Sequence, residues 1–363
     1  MKGNKGEWSE PYVLIKLLVD GELRQGEMDM SASTEEAYRV VGVSRSEKIG
    51  QEIVSKIYER GASDVAISCN GSLVTSIPLT SFSEYVTSLF EEISNMSGSI
   101  SLSGHIASFF EKIKIESVKA DSKKKADIDV IIHDHYTATN QKLGFSVKSQ
   151  LGSPSTLVNA SVDNTNFRYR INGDLSATQV AEINAISTRR KVKDRLEFIG
   201  RIGGELEFDR ALGDVYNDNL LLIDRDLASI LSRCLLIHFS GLSSSLRDIS
   251  NHLDVGNHLD YPSRDCGSFY EFKLKRYLSE SALGMMPATE WSGKHHATGG
   301  YIIVKNDGEL VSYHLLRKNM FEDYLLHNTK FETPSTTRHE FGQIYSLEDG
   351  HYINLNLQIR FKK

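Results

Sequence analysis

The chain has 363 residues, 40% hydrophobic and 25% charged, which suits a soluble globular protein of one large domain or two ordinary ones. A formal net charge of −6 argues against binding nucleic acid by bulk attraction, while leaving room for a local basic face. No apolar run is long enough to span a bilayer, and the N-terminus has no signal-peptide core. Cys69, Cys234 and Cys266 are too few and too scattered for a disulfide framework or a zinc site, so the expected location is a reducing cytoplasm.

In chain order, "WSEPYVLIKLLVDGEL" predicts a first helix with Ser9 as N-cap, Glu10 and Pro11 in its first turn and Gly21 past its end. Leu14, Leu17 and Leu18 form its buried stripe. "SDVAISCNGSLVTSIPL" reads as a hairpin turning at Asn70-Gly71. Helices follow over about Ser83 to Ser94 and in "SGHIASFFEKI". Three strand-like runs come next: "IKIESVKA", "ADIDVIIHD" and "LGFSVKSQL", the last two paired antiparallel. "FRYRI" extends the sheet and "SATQVAEINAIS" is a helix over it. Beyond Asp209 the pattern turns helical, in "NLLLIDRDLASILSRCLLIHF" and "SFYEFKLKRYLSESAL". A hairpin, "GYIIVKNDGELVSYHLL", and a closing strand, "YINLNLQIRF", end the chain.

Residues two apart in a strand share a face, so Asp127 pairs with Asp129 and Ser146 with Lys148. A hairpin between these strands brings an aspartate, a hydroxyl and a lysine to one sheet edge. That set suits metal-assisted phosphodiester cleavage. The aspartate and the Val147 carbonyl hold a hard cation such as Mg²⁺, and the lysine orients water or neutralises charge on the phosphate. Strand-end aspartates and lysines are more often plain solvated residues, so the spacing by itself is weak. "GRIGGELEF" lacks a phosphate-loop lysine, and the adjacent His295 and His296 do not form a helical metal pair.

"ADIDVII…GFSVKSQLG" resembles the D…(D/E)-x-K core of the PD-(D/E)xK nucleases, with Ala126-Asp127 in the Pro-Asp place. "MKGNKGEWSE", "NTKFETPSTTRHEFG" and "LNLQIRF" resemble the HpaII-like type II restriction endonucleases. The resemblance implies Asp127 as metal ligand, in preference to Asp129, and Lys148 as catalytic lysine. Ser146 departs from it, since the superfamily carries an acid there. The resemblance points to a replacement from the first helix, Glu10 before Glu7, although both also suit a helix N-terminus.

Basic residues cluster in "STRRKVKDR", with Arg189 and Arg190 leading, in "KLKR", and in Lys123 to Lys125 ahead of the proposed active strand. Arg189, Arg190 and Lys125 are expected to contact DNA phosphates, Ser149 and Gln150 are further candidates for DNA contact, and the Gln150 amide oxygen is a third candidate, after Glu10 and Glu7, for the metal. Lys330, Ser335, Arg338 and His339 offer donors for base or near-base contact, on a connection fixed by Pro334.

The expected fold class is α/β: a restriction-endonuclease-like (PD-(D/E)xK) mixed sheet core flanked by helices over 1–208. A helical and mixed α+β part over 209–363 is expected to serve recognition and dimerisation. The resemblance implies a Mg²⁺-dependent enzyme that cuts double-stranded DNA at a short C/G-rich palindrome, as a homodimer, beside a protective DNA methyltransferase. The rival readings are a modification-dependent or repair nuclease of the same fold, and a DNA-binding module whose catalytic centre has decayed.

Overall fold

The computed structural model describes residues 1–118, 126–134 and 138–363. Up to residue 155 the elements are α1 (Lys5–Asp20), β1 (Glu22–Gly26), β2 (Ala32–Ile49), β3 (Glu52–Arg60), β4 (Asp64–Cys69), β5 (Ser72–Pro78), α2 (Leu79–Asn95), α3 (Gly104–Lys112), β6 (Ile128–Asp134) and β7 (Thr139–Ser149). Then come β8 (Thr156–Val158), β9 (Asn166–Asn172), α4 (Ala177–Ala185), α5 (Lys191–Arg201), β10 (Glu205–Ala211), α6 (Asp214–Ile223), α7 (Leu227–Phe239), α8 (Leu246–Gly256) and α9 (Phe269–Leu283). The last elements are β11 (Gly300–Val304), β12 (Leu310–His314), a short 3-10 turn, α10 (Lys318–Asn328), β13 (Thr329–Phe331), β14 (Ile344–Leu347), β15 (Gly350–Asn356) and β16 (Ile359–Phe361).

By contacts the chain forms two compact units, one of 1–155, 295–324 and 363, the other of 156–294 and 325–362. The boundary expected after residue 208 falls inside β10. The first unit is built on a nine-stranded mixed sheet in the order β1-β12-β11-β7-β6-β2-β3-β4-β5. β7 lies inside the sheet, antiparallel to the middle strand β6 and parallel to β11. Its core joins Tyr12, Leu14 and Leu18 of α1 and Phe82 and Leu89 of α2 to Val43, Val130, Phe145 and Ile302 of the sheet.

α1 begins earlier than Ser9. Asn4 accepts from the Glu7 N–H (3.1 Å) while the Glu7 carboxylate accepts from the Asn4 N–H (2.9 Å), a closed capping box. Ser9 therefore sits one turn inside and donates to the Lys5 carbonyl (2.7 Å). Gly21 ends the helix as expected, at φ 70°. The Asn70-Gly71 hairpin and the β6–β7 pair also form as expected. "IKIESVKA" does not: over 113–118 there is no strand among the described residues, because Lys114 turns at φ 61° and Ile113, Ile115 and Val118 drop into the core as separate anchors.

The second unit holds two smaller sheets, β10-β9-β15-β14 and β13-β16-β8, with α4 to α9. "FRYRI" (β9) joins the first of these instead of extending the β6–β7 sheet. "YINLNLQIRF" splits into β15 and β16, one in each small sheet. "NLLLIDRDLASILSRCLLIHF" breaks at Asp224 into α6 and α7, where the Asp224 carboxylate accepts from the Asp226 N–H (2.9 Å).

Candidate active site

Asp127 lies one residue ahead of β6, and its N–H donates to the Phe145 carbonyl (2.8 Å), which locks it opposite Ser146. Its Oδ2 accepts from the Val147 N–H (2.7 Å) and the Ser146 hydroxyl (3.0 Å). Ser146 is buried, and its oxygen also accepts from the Lys148 ammonium (3.0 Å). A continuous relay thus runs from Lys148 through Ser146 to Asp127. Charge-assisted bonds of this kind contribute about 1.5–3 kcal/mol each and fix the rotamers they join.

β11 completes the setting. In the parallel ladder Tyr301 stands beside Ser146 and Ile303 beside Lys148. The Lys148 ammonium lies 5.0 Å above the centre of the Tyr301 ring, which itself packs edge-on against Phe321. Burial pushes the Lys148 pKa below the ordinary lysine value, while the charges of Asp127 and Glu10 pull it back up.

Glu10 sits on the second turn of α1, its Oε2 3.9 Å from Nη2 of the buried Arg45 of β2. Glu7 closes the capping box at the same helix start. Asp129 has turned to other partners: Lys142 at 3.1 Å and the Ser44 hydroxyl at 3.4 Å. The Val147 N–H points beyond the start of β6 to Asp127, and its carbonyl leaves the strand on the same side. Ser149 accepts from the Leu151 N–H, and Gln150 donates to Met30, so both are half-buried parts of the β7 end.

The residues fit a small hard cation. Among those described, no group of three or more His, Cys, Asp or Glu side chains gathers to make an all-protein cage. Mg²⁺ asks for no such cage, since it keeps several waters and takes one or two carboxylates. Asp127 and Glu10, whose charges both act on Lys148, are oxygen donors of the kind it takes.

In the second unit the two expected DNA-contacting segments come together. Arg189, Arg190, Lys191 and Lys193 face Thr333 to Thr337 across a cleft of about 720 Å³. Ser335 lies in this wall, where its hydroxyl accepts from the Arg338 N–H (3.3 Å). Arg338 is exposed and His339 half-buried. Lys330 lies on β13 opposite Arg360, outside the cleft lining. Lys125 lies outside the described residues. Two basic clusters are structural in part. Arg195 is buried and donates to the carbonyls of Ile183, Asn184 and Ile186, while Lys273 is held by Asp224 and Asp226.

Arg45 and Tyr301 escaped the sequence reading. Arg45 had one signal: Val43, Arg45 and Glu47 alternate onto one strand face, so charges occupy core-facing positions. Tyr301 had none, because its place beside Ser146 depends on a hairpin some 150 residues further along the chain.

The HpaII restriction endonuclease family pattern matches residues 4–361. The chain is 40% identical over 360 residues to the type II restriction enzyme HpaII of Haemophilus parainfluenzae, covering 99% of this chain and 98% of that one. No solved structure matches.

Proposed function

Since the chain belongs to the HpaII restriction endonuclease family, we propose that it hydrolyses double-stranded DNA at a short, C/G-rich palindrome, leaving 5′-phosphate and 3′-hydroxyl ends. It is a type II site-specific deoxyribonuclease, and the proposal concerns its site, cofactor and mechanism. The observation that carries the mechanism is the Asp127–Ser146–Lys148 relay, on whose lysine the charge of Glu10 also acts.

Asp127, Glu10 and the Val147 carbonyl would hold Mg²⁺, whose chemistry there is to polarise a phosphate oxygen and lower the pKa of a water. Lys148, pinned by Ser146 and backed by the Tyr301 ring, presents its ammonium to the scissile phosphate. There it orients the attacking water and offsets charge that grows on phosphorus. Ser146 takes over one task of the usual acid, orienting the lysine. It leaves the other, ligating metal, to Glu10. The Ser146 hydroxyl is committed to Asp127 and Lys148, which argues for a working centre over a decayed one.

Arg189 and Arg190 with Lys125 would hold phosphates, and Ser149 and Gln150 lie where the cut strand passes. The Lys330 to His339 segment would supply base contacts. A two-fold symmetric target calls for a homodimer with one centre per strand, and a partner methyltransferase protects host DNA in the same cytoplasm. Among the described residues no helix is long and apolar enough to cross a membrane.

Plasmid digestion with Mg²⁺, followed by sequencing of the cut ends, tests this reading. Discrete fragments sharing one 5′-phosphorylated terminus are expected. Absence of cleavage across divalent metals and methylation states would contradict it.

A further inference from the structure

The face of β2 that carries Val43 continues with two charges, Arg45 and Glu47, and the neighbouring β3 adds Lys56 directly opposite Arg45. All three are buried, at 3%, 0% and 1% exposure. Glu47 reconciles the two cations. Its Oε1 is 3.4 Å from Arg45 Nε, and its Oε2 accepts from Lys56 (2.8 Å) and from the N–H groups of Glu116 (2.9 Å) and Ser117 (3.2 Å). Arg45 Nη2 donates to the carbonyls of Ser117 (3.1 Å) and Val118 (3.0 Å). Arg45 Nη1 is buried without a hydrogen-bond partner among the described residues.

A buried ionic cluster is a poor way to stabilise a core, because apolar side chains of similar volume serve as well or better. Its cost is justified where it holds something in place. Here the guanidinium is clamped from behind by Glu47 and two carbonyls, and Nη2 reaches Oε2 of Glu10 at 3.9 Å. Besides Glu47, each buried cation faces one further carboxylate: Glu116 lies 3.6 Å from Lys56, and Glu10 lies 3.9 Å from Arg45. Nη2 already donates to the Ser117 and Val118 carbonyls, so at 3.9 Å the guanidinium acts on the Glu10 carboxylate through its fixed charge, which a flexible surface lysine would not hold in place.

We infer that Arg45, braced by Glu47 and Lys56, is a positioning residue that fixes the Glu10 carboxylate for a divalent cation shared with Asp127. The inference rests on Glu10 being a metal ligand as proposed above. Outer-shell partners of metal ligands are worth roughly tenfold to a hundredfold in affinity.

The test is Mn²⁺ binding to the full chain without DNA, read from the free-ion paramagnetic resonance signal. It compares wild type with Arg45→Met, Arg45→Lys, Glu10→Gln and the double variant Arg45→Met/Glu10→Gln. Arg45→Met and Glu10→Gln should each raise the dissociation constant about tenfold. The double variant should bind no worse than Glu10→Gln, because both act through one carboxylate. Arg45→Lys keeps the charge and loses the fork, so a severalfold weakening is expected there too. If Arg45→Met fails to fold by circular dichroism, Arg45→Lys decides in its place. Wild-type or tighter binding in the folded arginine variant, or additive losses in the double variant, would overturn the inference. Unchanged binding in Glu10→Gln would overturn it as well, and would locate the failure in the metal assignment.

Discussion

The Ser146 hydroxyl lies 3.0 Å from both the Asp127 carboxylate and the Lys148 ammonium. A neutral hydroxyl that donates to one and accepts from the other keeps the pair apart as separate charges, where an acid at this position would bind the lysine directly. Under the proposed mechanism the acid needed for metal comes from α1, and its two candidates make opposite predictions. Glu10→Gln should raise the Mg²⁺ concentration needed for half-maximal cutting about tenfold or more. Glu7→Gln should leave the Mg²⁺ requirement alone and cost about 0.5–1 kcal/mol of stability, because it weakens the capping box. A metal titration and a melting curve on each variant separate the two. At this scale the strand pairing that sets Asp127 beside Ser146 and Lys148 was legible from the two-residue period, while the roles expected of Asp127 and Lys148 came from the resemblance and not from the spacing. The capping role of Glu7 was not legible, because it depends on Asn4, three residues ahead of Glu7, being the cap.

At the scale of elements, the β6–β7 hairpin carries the relay and β11 holds it in register. Gly300 opens β11 at φ 101°, and a Cβ there would stand 2.1 Å from the Tyr313 carbonyl oxygen. Gly300→Ala is expected to destabilise the fold by about 2–3 kcal/mol or more, read as a lowered urea midpoint, and to cut activity by disturbing Tyr301. Wild-type stability would show that the strand junction relaxes freely. Hairpins such as Asn70-Gly71, β6–β7 and β11–β12 were readable because partner strands are close in sequence. The placement of β11–β12 in the first sheet, next to β7, was not. Nor was the split of "YINLNLQIRF" between two sheets. Both depend on pairings between segments far apart in the chain, which alternation alone does not specify.

For the whole molecule, buried histidines tie stability to pH. Burial lowers the His314 pKa to about 4; its Nδ1 accepts from the Leu316 N–H (2.9 Å), and its ring packs against Tyr38 and Phe145. His238, stacked on Phe331, is likewise held down to about 4 by burial. In the unfolded chain each imidazole titrates near about 6.5. Between these values the unfolded state binds more protons, so stability is full above about pH 6.5 and is lost as pH falls toward about 4. The melting temperature should drop between pH 7 and pH 5, less steeply in His314→Asn. Equal slopes in the two proteins would remove His314 from the account. The whole-chain architecture was legible as mixed α/β. The recruitment of 295–324 into the first unit was not, because the helical stretch before it reads as a separate region.

The account stands on Lys148 acting at the scissile phosphate. Its most direct test is Lys148→Ala on a duplex carrying the mapped site, measured for single-turnover cleavage in Mg²⁺ and for binding in Ca²⁺. Cleavage should fall about a thousandfold or more while site-specific binding is retained. Cleavage at the wild-type rate would contradict the mechanism.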